Sequence, residues 1–311
     1  MDIGNKIQKE YNNTTGIVVL RNNDIIYEKY FNHCDMKNKV HVYSVTKSIV
    51  SILIGIAIEK GYIKSVEQKL VEFYPEYREL NKVVEEITIK DMLIMNVNYR
   101  FLIPPYKKYF TSDNWVKFGI SLLKKKKDCF YYSPLIGLDI LTGILTKVTG
   151  MSVLKFAKEN LFIPLGIDIK ENITFKDKED QLSFNQSFDR NGWVADPQGV
   201  NACGWGLTLS ARDMAKIGNL YLNNGIYDDK QIVSFSWIKE STREQDRWRK
   251  RNLSYGYLWW LGENSYAAMG EAGNIIYVNN DKKVVVAMTC LFDTKAKDRI
   301  EFIEKYIIPN V

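Results

Sequence analysis

Histidine is nearly missing from this chain: His33 and His41 are the only two among 311 residues. With no G-x-S-x-G turn beside them, a Ser-His-Asp triad on an α/β-hydrolase scaffold is not expected. No cluster of His, Cys, Asp and Glu has ligand spacing, so neither a metal nor a cofactor is expected. The four cysteines (Cys34, Cys129, Cys203 and Cys290) lie far apart and form no C-x-x-C pair. That pattern predicts reduced, buried thiols and no disulfide frame. Apolar runs reach only about ten residues, half of what a bilayer span requires, so no membrane partner is expected. The start, Met1-Asp2-Ile3-Gly4-Asn5-Lys6, carries no basic-then-apolar leader, which predicts a cytoplasmic location.

What is present is the composition of a globular protein, with 46% hydrophobic and 26% charged residues. Nineteen Tyr and seven Trp suit a core or cleft with aromatic walls. The net charge of +6 draws on a lysine run at residues 124–127 and a basic stretch at residues 243–251 around Trp248. Glu244 and Asp246 interrupt the second stretch, and no nucleic-acid motif accompanies either. Both read as solvated surface, with no nucleic-acid partner.

Residues 16–30 form two β-rich runs around Asn22-Asn23-Asp24, a hairpin signal. A second hairpin is expected from 274–279 and 284–291 about Asn280-Asp281-Lys282, with a further strand at 255–261 and a final helix at 295–307. Between them the period is mostly 3.6, predicting helices at 49–60, 89–95, 115–124, 137–148, 153–161 and 211–222. Thr88-x-x-Asp91 and Ser210-x-x-Asp213 look like reciprocal helix caps. The fold class predicted is α/β of the α+β type, in one domain spanning 1–311. An antiparallel sheet built from 1–60 and 252–311 is flanked by helices, and 61–251 forms a mostly helical insertion.

The most informative residues are Ser44-Val45-Thr46-Lys47, at the mouth of an apolar stretch. Side chains three apart share a helix face, so the Ser44 hydroxyl and Lys47 amine come within hydrogen-bond reach. A serine alcohol is a weak nucleophile until a base takes its proton. Lysine serves as that base only when desolvation or nearby positive potential drives off its own proton. The run from Ser48 to Ile58 is apolar nearly all round, which predicts burial, and the helix N-terminus supplies partial positive charge.

With its companions this motif resembles the serine β-lactamase and penicillin-binding family, in the branch of class C β-lactamases, esterases and nylon-oligomer-type amide hydrolases. The companions are Ile87-Thr88-Ile89-Lys90-Asp91-Met92-Leu93, Phe130-Tyr131-Tyr132-Ser133, Leu161-Phe162-Ile163-Pro164-Leu165-Gly166 and Gly206-Leu207-Thr208-Leu209-Ser210-Ala211-Arg212-Asp213-Met214. The resemblance implies Ser44 as nucleophile, Lys47 as base and Tyr132, favoured over Tyr131, as proton relay. The family's Tyr-x-Asn falls on Tyr132-Ser133-Pro134, where proline lacks the amide that would meet a substrate carbonyl. Ala268-Met269-Gly270-Glu271 takes the place of Lys-Thr-Gly. It implies close backbone approach at Gly270 and an oxyanion hole from the N–H groups of Ser44 and Glu271. Without that lysine, small esters or amides are favoured over β-lactams. Ser112-Asp113-Asn114 imitates another family motif but reads as a helix cap, with Ser or Asp in the capping role. His41 reads as structural, while Trp205 and Trp193 are cleft walls or core. A serine hydrolase forming an acyl-enzyme on a small ester, amide or lactam is the expected function. The alternative is a penicillin-binding sensor or a non-catalytic ligand-binding protein on the same fold. Oligomeric state is left open.

Overall fold

A computed structural model describes residues 3–126, 130–133, 135–249 and 251–311. Eight antiparallel strands make the main sheet: β1 (Thr14–Arg21), β2 (Asp24–Tyr30), β3 (Asp246–Trp248), β4 (Leu253–Tyr255), β5 (Trp260–Leu261), β6 (Ser265–Met269), β7 (Ile275–Asn279) and β8 (Val284–Cys290). Their spatial order is β2-β1-β8-β7-β6-β5-β4-β3. The two terminal hairpins therefore meet at the β1–β8 pair, in register through Val18 and Ala287. The first hairpin closes through Asn22 and Asn23 at φ 50° and 76°, left-handed positions that asparagine tolerates and a two-residue hairpin turn requires.

Two expectations about the sheet are corrected. Its C-terminal part begins at Asp246, not at 252, and residues 255–261 are two strands, not one. Leu258 sits at φ 61° and its N–H leaves the sheet for the Leu93 carbonyl, so the chain folds back between β4 and β5. The inserted region also holds short pairs, Val40–His41 with Thr208–Leu209 and Glu171–Ile173 with Gly192–Val194.

Helix α1 (Val45–Glu59) runs through the centre, with every residue from Val45 to Ala57 buried. Isoleucine-rich segments are mediocre helix formers, so packing, not propensity, holds this one. Each fully buried Ile, Leu or Val there contributes about 1.5–3 kcal/mol. The helix ends at Gly61, φ 77°, where the Tyr62 N–H returns to the Ala57 carbonyl. Helix α2 (Asp139–Thr149) packs against α1 and stops at left-handed Gly150. Helix α3 (Ala211–Leu222) starts in the reciprocal cap of Ser210 and Asp213 and lies on the sheet, where Gly218 admits Val285 and Ile276. The Thr88–Asp91 cap is present as well. The helical stretch expected at 153–161 turns into a π-helical segment at Lys158–Phe162. One large core joins α1, α2, α3 and one sheet face; a second cluster covers the other face beneath the terminal helices Ile3–Glu10 and Arg299–Tyr306.

Ahead of the helix Trp115–Leu122 the cap is Asn114, not Ser112 or Asp113: its Oδ1 accepts the Lys117 N–H at 2.7 Å. Ser112 instead receives the Asn114 N–H. Cys34, Cys203 and Cys290 are free thiols, and Cys34 is only half-buried; Cys129 and Lys127 lie outside the described residues. Among the described residues, no single helix is long and apolar enough to cross a membrane.

Candidate active site

Ser44 caps α1, but its side chain makes no capping bond. Tyr43, at φ 48°, turns the chain sharply into the helix, a strained position of the kind that clusters at functional sites. The freed hydroxyl faces inward. Lys47 Nζ donates to Ser44 Oγ at 2.5 Å, and the Gly204 carbonyl lies 3.3 Å from that nitrogen and 3.4 Å from Oγ. The one-turn spacing read from the sequence thus brings alcohol and amine together, and a carbonyl from a distant loop completes the group.

Lys47 is 2% exposed. Desolvation pushes its amine down to about 8, against the opposing pull of Cys203, Asp139 and Glu271. Asp139, in the first turn of α2, is fully buried, and burial pushes its carboxyl up to about 7. Its Oδ1 accepts the Cys203 N–H at 2.9 Å. That bond fixes the residue just before Gly204, so one buried acid sets both the position of the shared carbonyl and the potential at Lys47. Gly204 was expected at the cleft rim from its Gly204-Trp205-Gly206 setting, whereas Asp139 was not expected at the site. The available signal was a lone acid inside an apolar helical run, which burial tolerates only for a purpose.

Tyr132 places its ring 5.6 Å from Lys47 Nζ. Burial raises its phenol, and a hydrogen bond with Ser44 pulls the other way. The group is therefore a protonated donor. The neighbouring Tyr131 N–H is anchored on the carbonyl of Met95, itself at φ 58°. Trp248, from β3, stacks on Tyr132 at 5.7 Å and 9°, with the Arg251 guanidinium 4.8 Å from the indole. Neither was singled out for the site from sequence, because the stretch around them reads as solvated surface until the hairpin folds over the cleft. Pro134 lies outside the described residues.

At the end of β6, a Cβ on Gly270 would stand 2.2 Å from the Val42 carbonyl, so only glycine allows this approach two residues from Ser44. Asn274, buried, ties the turn down by donating to the carbonyls of Glu271 and Cys290 and accepting the Cys290 N–H. Among the described residues, neither the Ser44 nor the Glu271 N–H is engaged by a backbone carbonyl.

The Trp205 ring corrects its reading as a cleft wall. It is 5% exposed and packs among Phe110, Trp115 and Phe175, with its indole N–H donating to Tyr109. Trp193 is likewise core. His41 is buried, its Nε2 accepting the Gly206 N–H at 2.9 Å while Nδ1 meets Asn185 Oδ1 at 3.0 Å. Burial drives its pKa down to about 3, so it stays neutral and braces the loop carrying Gly204. No group of His, Cys, Asp and Glu among the described residues could hold a metal ion.

A sheet between helical layers, with a half-buried serine beside a buried lysine at the head of the central helix, matches the S-x-x-K arrangement of β-lactamases and penicillin-binding proteins. The chain belongs to the Beta-lactamase family, whose model matches residues 7–302. It is 21% identical over 243 residues to the 6-aminohexanoate-dimer hydrolase of Paenarthrobacter ureafaciens, covering 73% of this chain and 56% of that protein. The octameric penicillin-binding protein homologue from Pyrococcus abyssi superposes with a TM-score of 0.72 at 19% identity, over 100% of this chain and 78% of the other. A family VIII carboxylesterase superposes at 0.70 with 15% identity, over 97% and 94%. This is a Beta-lactamase-family hydrolase with the fold of those neighbours.

Proposed function

We propose that the protein is a serine hydrolase that cleaves small esters or amides through an acyl-enzyme. The observation that carries this reading is the 2.5 Å contact between Ser44 Oγ and a desolvated Lys47 amine. Lys47, once neutral, takes the Ser44 proton as Oγ bonds to the substrate carbonyl carbon. The N–H groups of Ser44 and Glu271 hold the oxyanion. As the tetrahedral intermediate collapses, the bond to the leaving group breaks, and Tyr132 gives that group its proton and is refilled from Lys47. Water then attacks the acyl carbon, its proton passing to the same relay, and Ser44 is released. Ala268-Met269-Gly270 offers no cation where a β-lactam carboxylate would be met, which supports simple esters and amides. The named activities of the carboxylesterase and of the aminohexanoate-dimer hydrolase point the same way.

Acid quenching during turnover of p-nitrophenyl acetate, followed by peptide mass spectrometry, tests the mechanism. One acetyl group on the Ser44 peptide is expected; a burst of nitrophenol with no labelled peptide, or a label elsewhere, counts against it. A β-lactam adduct that persists without turnover would favour the penicillin-binding sensor instead.

Because the base must be neutral, kcat/KM rises with pH and levels off above about 8, where Lys47 has lost its proton. Asp139→Asn keeps an oxygen for the Cys203 N–H but removes the negative charge that holds the Lys47 pKa up. The inflection of the profile should therefore move to lower pH. An unchanged profile would show that Asp139 exerts no field on the base.

A further inference from the structure

Beside Trp115 and the helix Lys178–Phe184 the protein holds a cavity of about 1000 Å3. Neither Ser44, Lys47 nor Tyr132 lines it. Its apolar walls include Phe110, Trp115, Phe175, Leu182 and Val194. Phe110, Trp115 and Phe175 are the rings that pack around Trp205. The size lies at the upper end for small-molecule sites, and apolar walls interspersed with polar groups are what such sites show.

The charged groups facing the cavity are one-sided. Lys107, Lys176 and Lys178 line it, and among the described residues none has a carboxylate within 4.0 Å. Among the described residues the acid on the wall is Asp177, which caps the helix Lys178–Phe184, its Oδ1 accepting the Asp180 N–H at 2.8 Å. Three ammonium groups against one carboxylate leave the cavity wall with an excess of positive charge. The complementary ligand has an apolar body and one anionic end.

We infer that this cavity is a binding site for an amphipathic carboxylate, separate from the serine site. The inference does not depend on the catalytic reading, since binding needs neither Ser44 nor Lys47. The cavity is also wired to the catalytic loop: Asn185 lines it and meets His41, which in turn holds the Gly206 N–H.

Isothermal titration calorimetry with sodium decanoate tests the site, run on the full chain as wild type and as Ser44→Ala. Both are expected to bind with a dissociation constant below about 1 mM and with equal affinity. Decyltrimethylammonium, with the same tail and the opposite charge, is expected not to bind. Leu182 is 55% exposed, so Leu182→Asp leaves the fold intact while placing charge on the apolar wall, and it should weaken decanoate by about tenfold or more. Lys107→Glu with Lys178→Glu should do the same by reversing the field at the mouth. Absence of binding by wild type, binding lost in Ser44→Ala, or affinity unchanged by both wall and mouth variants would each overturn the site.

Discussion

Ser44→Ala is expected to lower kcat/KM for p-nitrophenyl acetate by about 10^3-fold or more, with the fold unchanged. The alcohol is the only atom in the group able to form the covalent bond. In the proposed mechanism Lys47 takes its proton, while Gly204 and the two backbone donors only polarise or hold what it attacks. Alanine removes one oxygen from a half-buried position, and Lys47 Nζ keeps the Gly204 carbonyl. Circular dichroism and thermal melting should therefore match the wild type. Equal hydrolysis rates in the two proteins would remove Ser44 from the role of nucleophile for this substrate, whatever the fold.

Lys47→Met is expected to cost about 10^2–10^4-fold in kcat/KM, the range spanned by loss of a positioned general base. Methionine has nearly the same length and fills the same buried channel, so the change isolates proton transfer from packing. It also relieves the burden of an amine with 2% exposure. Melting temperature should hold or rise while activity falls, the exchange of stability for function typical of catalytic groups. The second readout is the pH profile, whose rise toward about 8 should vanish with the amine. A variant that keeps that inflection would assign the titration to another group, with Asp139, at about 7, the first to examine.

Much of the fold was legible because it is local. Asn22-Asn23 announced a hairpin, Thr88–Asp91 and Ser210–Asp213 announced helix starts, and the apolar run after Lys47 announced a buried helix. Each depends on neighbours within a turn or two. The misreadings arose where distant contacts override the pattern. Residues 255–261 read as one aromatic-rich strand, yet the Leu93 carbonyl captures the Leu258 N–H and splits it. Trp205 lies next to Gly204 in sequence, but the rings of Phe110, Trp115 and Phe175 pull its side chain away from the cleft. Trp248 became part of the site only because the β3–β4 hairpin lies against Tyr132.

The sequence by itself determined the serine–lysine contact, because helical periodicity places residues three apart on one face whatever surrounds them. It also determined that the helix would be buried, since its apolar surface faces every direction. Only the tertiary structure decided how that amine is tuned. Asp139 reaches Cys203 across 64 positions, and the Gly204 carbonyl reaches Lys47 across 157. Such contacts carry no period, and the dielectric that shifts a pKa belongs to the packed interior, not to any segment of chain.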